Sequence, residues 1–214
     1  MTQPVSTLIP MIAAEDQAEA FSDFLSNAAR IVAETEPGTQ RWFALRKDDQ
    51  LAIFDTFTDD AARQTHFAGS VAAALKDNAS SLVQGGWESG VLSGVQNGSV
   101  LFETQARSLE TVTTGTYIAL TAMPGRGDEL AEFLVTGGQL VRDSEPATLY
   151  WAALRLDAER FAIFDVFADE RGRNAHFGGQ VAAALKQQAS TLVKGGWQNG
   201  VLDNVAHYDV LAAK

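Results

Sequence analysis

The chain states one pattern twice. Residues 36–92 read EPGTQRWFALRKDDQLAIFDTFTDDAARQTHFAGSVAAALKDNASSLVQGGWESGVL, and residues 145–202 read EPATLYWAALRLDAERFAIFDVFADERGRNAHFGGQVAAALKQQASTLVKGGWQNGVL. The period, about 110 residues, is far above the 20–50 typical of solenoid units. Each copy is therefore a small domain, expected over 1–102 and 113–214, with the polar stretch 103–112 (ETQARSLETV) as connector. A domain of this size buries only a modest core alone, so the duplication predicts an intrachain pseudo-dimer.

Each copy reads β-α-β-β-α-β. Strands are expected at 6–13 and 113–123. A helix follows, with Ala18, Phe21, Phe24, Leu25, Ala28, Ile31 and Val32 on one stripe of the first copy and Leu130, Phe133, Leu134, Leu140 and Val141 on that of the second. Gly137-Gly138 inside the second helix points to close packing against a neighbour. The runs 39–47 and 50–58, then 148–156 and 160–168, read as hairpins joined by short polar turns. Asp59 and Asp169 stand where helix N-caps belong. Helices over 60–84 and 170–194 break near Ala68-Gly69 and Gly178-Gly179 and stop at Gly85-Gly86 and Gly195-Gly196. A last strand is expected from about Gly90 to Phe102 and from Gly200 to Ala212.

This order is the split βαβ, ferredoxin-like plan of an α+β protein. In 50–58, Ala52, Phe54 and Thr56 share one sheet face, and Ile53, Asp55 and Phe57 the other. Both faces carry aromatics, so both need cover. The second copy supplies it, sheet against sheet.

Composition narrows function by exclusion. A net charge of −11 disfavours a nucleic-acid groove and an anionic membrane surface. With no cysteine, thiolate metal sites and cysteine nucleophiles are out. The N-terminus lacks a basic region before its broken apolar run, and no stretch approaches 18 apolar residues, so a cytoplasmic protein is expected. No histidine pair lies at metal-binding spacing, so no metal site is expected. G-x-G-x-x-G, Walker A and G-x-S-x-G patterns are absent.

The succession E-P-G-x-x-x-W-x-x-L-R, then A-I-F-D-x-F-x-D, then a histidine nine residues after the second Phe, resembles the antibiotic biosynthesis monooxygenase (ABM) family. The resemblance spans roughly 6–98 and 114–208. It implies a dimeric α+β barrel, and for some members oxidation of quinols or phenols by O2 without metal or flavin. The family's strand acidic residue falls on Asp55 and Asp165, and its helix histidine on His66 and His176. Where heme-degrading relatives have Trp, this chain has Phe57 and Phe167. Their first-strand Asn has no equivalent in TLIPMIA or TYIALTA, which argues against heme degradation.

His66 and His176 head the candidate catalytic residues, because an imidazole suits general base work near neutral pH; the alternative is a brace between short helix and sheet. Asp55 and Asp165 either serve that histidine or pair with Arg46 and Arg155 across the hairpin. Trp42, Trp151, Phe57 and Phe167 are core by default and pocket walls by alternative, as are Trp87 and Trp197. His207, where the first copy has Asn97, reads as a surface residue. Differences at Ala14, Asp16 and Ala28 against Met123, Gly125 and Gly137 make the two sites inequivalent candidates. The expected activity is cofactor-independent monooxygenation of a small aromatic, quinol-type molecule, with O2 as co-substrate. A non-catalytic binder of small hydrophobic molecules is the alternative, and a heme-binding barrel protein the third.

Overall fold

The computed structural model describes residues 3–214. Strands are β1 (Val5–Ile12), β2 (Thr39–Lys47), β3 (Gln50–Phe57) and β4 (Gln96–Glu103) in the first copy, and β5 (Thr114–Thr121), β6 (Thr148–Arg155), β7 (Arg160–Phe167) and β8 (Val205–Ala213) in the second. Helices are α1 (Ala18–Thr35), α2 (Asp60–Phe67) and α3 (Ser70–Leu82), then α4 (Gly127–Ser144), α5 (Glu170–Phe177) and α6 (Gln180–Leu192). Around each first strand the order is 4-1-3-2, the ferredoxin-like plan. The eight strands close hydrogen-bonded in the order β1-β3-β2-β8-β5-β7-β6-β4, an α+β barrel.

The chain divides into two compact units, and the division falls inside strands. One unit is the chain up to Asn97 with Asp209–Lys214, and the other is Gly98–Tyr208. Within the first, β3 pairs antiparallel with β1 and β2, and β2 takes the end of β8, Phe43 opposite Ala213. Within the second, β7 pairs with β5 and β6, and β6 takes the end of β4, Glu103 opposite Ala152. The stretch 103–112, expected as plain connector, begins with the last residue of β4, and its remainder is tied to the second unit: Thr104 N–H donates to the Trp151 carbonyl, Thr104 Oγ1 accepts from Trp151 N–H, and Arg107 N–H donates to the Leu149 carbonyl.

Each unit's helices cover one face of its sheet. In the first, Phe21, Leu25, Ala28 and Val32 of α1 pack with Trp42, Ala44, Ile53 and Val71. In the second, Leu130, Leu134 and Val141 of α4 pack with Trp151, Ala153, Ile163 and Val181. The glycine pair of α4 is a close approach: a Cβ on Gly138 would lie 2.3 Å from the Phe102 ring and 2.6 Å from Trp151. Asp59 and Asp169 cap α2 and α5, accepting from the Ala62 and Gly172 N–H groups. After α3 and α6 the chain turns through left-handed Gly85-Gly86 and Gly195-Gly196.

The last strands begin later than expected. Gly86–Val91 and Gly196–Val201 are π-helical turns, each followed by one 3-10 turn, and β4 and β8 start only at Gln96 and Val205. The physical reason is packing: a Cβ on Gly90 would lie 2.3 Å from the Gln84 carbonyl oxygen, so the turn is folded back on the helix end rather than extended. Among the described residues, no helix is long and apolar enough to cross a membrane.

Candidate functional site

In each unit three side chains distant in sequence meet under the sheet's helical cover. His66 ends α2, and α2 lies over β3, so its ring falls 5.3 Å from the Phe57 ring and is almost fully buried. Its Nδ1 meets Glu36 Oε2 at 2.5 Å, and its Nε2 faces Asp55 Oδ2 at 3.5 Å. The second copy repeats the arrangement. His176 Nδ1 meets Glu145 Oε2, its Nε2 faces Asp165 Oδ2 at 3.5 Å, and its ring is 5.6 Å from Phe167. Each imidazole is thus strung between two carboxyl groups.

The two carboxyl groups differ in kind. Asp55 and Asp165 are wholly buried. Neither closes a short hydrogen bond. What they have lies at the margin of bonding distance: the imidazole, with the Thr7 backbone N–H for Asp55 and the Thr116 hydroxyl for Asp165. Burial pushes the Asp55 carboxyl well above the usual range, and the Glu36 charge adds to it. Burial also raises Asp165, to about 6, against the opposing His176 charge and Thr116 hydroxyl. Burial alone would lower His176, but the Glu145 hydrogen bond and the Asp165 and Glu145 charges outweigh it and hold it raised.

The glutamates are differently placed. Glu36 follows the end of α1, and its free oxygen lies where a Cβ on Gly69 would be, 3.0 Å away. Gly69 is the N-cap of α3. Glu145 has the same relation to Gly179, the N-cap of α6, at 2.9 Å. A helix N-terminus favours negative charge. Each glycine therefore leaves room for a carboxylate that in turn accepts from imidazole Nδ1. Thr39 Oγ1 donates to Glu36 Oε2 at 2.9 Å, and Lys214 Nζ donates to the backbone carbonyls of Glu36 and Thr39.

The sequence reading named the histidines, aspartates and phenylalanines that come together here. It missed Glu36 and Glu145, although both head the repeated segment. The expected pairing of the aspartates with Arg46 and Arg155 is corrected. Arg46 pairs with Glu19 and Arg155 with Asp128. Each arginine shares the helix-covered face with its aspartate but stands four residues along the hairpin from it, Arg46 opposite Leu51 and Arg155 opposite Phe161, whereas Asp55 and Asp165 lie opposite Trp42 and Trp151. Trp42 and Trp151 are wholly buried members of the hydrophobic cores. His207 is exposed but engaged: its ring is edge-on to Phe177 at 5.7 Å, and Nδ1 is 3.3 Å from Thr116 Oγ1. Asp16 and Gly125, expected to distinguish two pockets, both occupy left-handed turn positions.

Space lies on two sides of His66. An apolar cavity of about 20 Å³ is lined by Ile9, Ile53, His66, Phe67, Trp87 and Val91, among others. A cleft of about 190 Å³ opens where Glu36, Thr39 and His66 meet Thr65. Around Glu145, Thr148 and His176 the matching cleft measures about 380 Å³. Among the described residues no group of three or more His, Cys, Asp or Glu is disposed to hold a metal ion.

No family model matches the sequence, and none of the curated proteins matches it. Solved structures share the fold. A protein named "Putative monooxygenase" from Fusobacterium nucleatum subsp. nucleatum is similar over 100% of this chain and 94% of its own, with 14% identity and a TM-score of 0.81. A protein from Lactobacillus acidophilus with the same designation is similar over 97% of this chain and 93% of its own, with 12% identity and a TM-score of 0.76. An "anthrone oxidase-like protein" covers 99% of this chain and 93% of its own, at 11% identity and a TM-score of 0.61. These likenesses are of fold, and the fold agrees with the tandem α+β barrel that the ABM resemblance implies.

Proposed function

We propose that the chain is a cofactor-independent monooxygenase acting on a small aromatic, quinol-type substrate with O2. One observation carries the reading: an imidazole oriented by a glutamate at a helix N-terminus forms one wall of an otherwise apolar cavity. Glu36 accepts from Nδ1–H and fixes the tautomer, so the lone pair is on Nε2, toward Asp55. The aromatic wall of Phe67 and Trp87 suits a flat ring. The names carried by proteins of the same fold point the same way.

The chemistry asks little else of the protein. His66 or His176 takes the proton of a phenolic hydroxyl. The electron-rich anion passes one electron to O2, and the resulting radical and superoxide combine at a ring carbon that bears hydrogen, ortho or para to the hydroxyl. Return of the proton to the peroxide expels water and leaves a carbonyl. The ring C–H becomes C=O, one oxygen atom enters the product, and the other leaves in water with both hydrogens. A dry, apolar cavity protects the anion from premature protonation.

Heme degradation finds no support in the residues: where heme-degrading relatives have Trp this chain has Phe57 and Phe167, and their first-strand Asn has no equivalent. The test is oxygen consumption across a panel of phenols and quinols. The proposal expects uptake matched by carbonyl formation, lost in the His66→Ala/His176→Ala double variant. Undiminished uptake in that variant removes the histidines from the mechanism. A co-purified apolar ligand without any turnover establishes the binder instead, and a Soret band the heme protein.

A further inference from the structure

The two triads are copies, but the residue behind each aspartate is not. Thr7 on β1 stands opposite Asp55 on β3, and Thr116 on β5 opposite Asp165 on β7. Each threonine hydroxyl reaches one residue of a last strand. Thr7 Oγ1 donates to Asn97 Oδ1 at 3.0 Å. Thr116 Oγ1 is 3.3 Å from His207 Nδ1.

A hydroxyl has one proton to give and can accept besides. Thr7 gives its hydroxyl proton to Asn97, so only its backbone N–H reaches Asp55. His207 can present Nδ1–H to Thr116, which frees the Thr116 hydroxyl proton for the Asp165 carboxylate. A hydroxyl that donates to a carboxyl group favours the anion, and its withdrawal favours the acid.

We propose that the last-strand residue, Asn97 in the first copy and His207 in the second, decides through the intervening threonine which member of the Asp–His pair carries their shared proton. In the first copy the aspartate keeps it and the imidazole is neutral, able to act as a base. In the second the imidazole carries it as imidazolium. The raised Asp55 carboxyl and the raised His176 agree with this division. The other charged groups facing each pair are equivalent or remote. Glu36 and Glu145 bond Nδ1, and Arg63 and Arg173 act on the aspartates from α2 and α5. Lys214 bonds the Glu36 backbone from outside. Resting on the oxidase reading, the first copy, with its apolar cavity beside His66, is then the one that turns over substrate. Asn97 and His207 are positioning residues, because they act through threonine.

Imidazole ¹⁵N NMR of the full chain at pH 7 reads proton placement without any substrate. The expected spectrum has one protonated and one bare nitrogen on His66, and two protonated nitrogens on His176. His207→Asn, and independently Thr116→Val, should convert His176 to the His66 pattern. Identical patterns in the unaltered chain, or a His176 pattern that neither variant moves, overturn the proposal. Oxygen uptake adds the functional arm. Asn97→His should lower turnover at least tenfold, and His207→Asn should raise it up to twofold. Turnover unmoved by Asn97→His overturns the assignment of the first copy. If the unaltered chain consumes no oxygen with any quinol, the oxidase reading fails by itself, and the NMR arm still decides where the protons lie.

Discussion

Gly69 and Gly179 show how one missing side chain supports a site. A Cβ at either position meets both the glutamate oxygen and a backbone carbonyl, at about 3 Å. Gly69→Ala and Gly179→Ala should each cost about 1–2 kcal/mol in chemical denaturation and lengthen the Glu–His contact. Variants as stable as the parent would show that the glutamate has room elsewhere. Asp165 makes a second prediction, through pH. Its folded pKa, about 6, lies above the ordinary 3.8, so its stabilising contribution is full below about pH 4 and is lost as pH rises through 6. The raised His176 acts in the same direction. Asp165→Asn should therefore gain on the parent between pH 4 and 8, by on the order of 3 kcal/mol; denaturation curves that stay parallel across that range contradict it.

At the scale of elements, the π-helical turn Gly86–Val91 closes one side of the cavity beside His66. It places Trp87 in the cavity wall, and about 20 Å³ holds little more than a water molecule. The proposed function therefore requires this turn, which starts at the left-handed glycines Gly85 and Gly86, to move before an aromatic ring can enter. Trp87→Ala should enlarge the cavity and lower KM for a phenolic substrate severalfold; an unchanged or raised KM would mean that entry lies elsewhere. This element also marks where sequence reading stops. The Gly85-Gly86 stop was legible because left-handed caps need glycine. The π turn was not, because Gly90 is required by a carbonyl across the turn rather than by its own backbone. Likewise His66 and Asp55 stood out by residue type, whereas Glu36 read only as the head of the repeated segment. Only the register of β3 beneath α2 brings it to the imidazole.

For the molecule as a whole, duplication was written plainly in the repeat, but the exchange of strand ends was not. Nothing in the composition of β4 or β8 says that the unit boundary crosses each strand, at Asn97/Gly98 and Tyr208/Asp209. The consequence is testable. Residues 209–214 complete the first unit's sheet on β2, pack Leu211 and Ala212 on its core, and tie Lys214 to Glu36 and Thr39. Their deletion should destabilise the first unit by at least about 2 kcal/mol, from lost apolar burial and strand hydrogen bonds. Hydrogen exchange should localise the loss to β2; uniform protection in the truncated chain would contradict it. Anaerobic mixing of the protein with a phenolic substrate, followed by absorbance, reads the proposed chemistry at its first step. The bound substrate should show the red-shifted spectrum of its anion, absent in the His66→Ala/His176→Ala variant and discharged when O2 is admitted. A substrate that stays protonated when bound, yet is still oxidised on admission of O2, would contradict it.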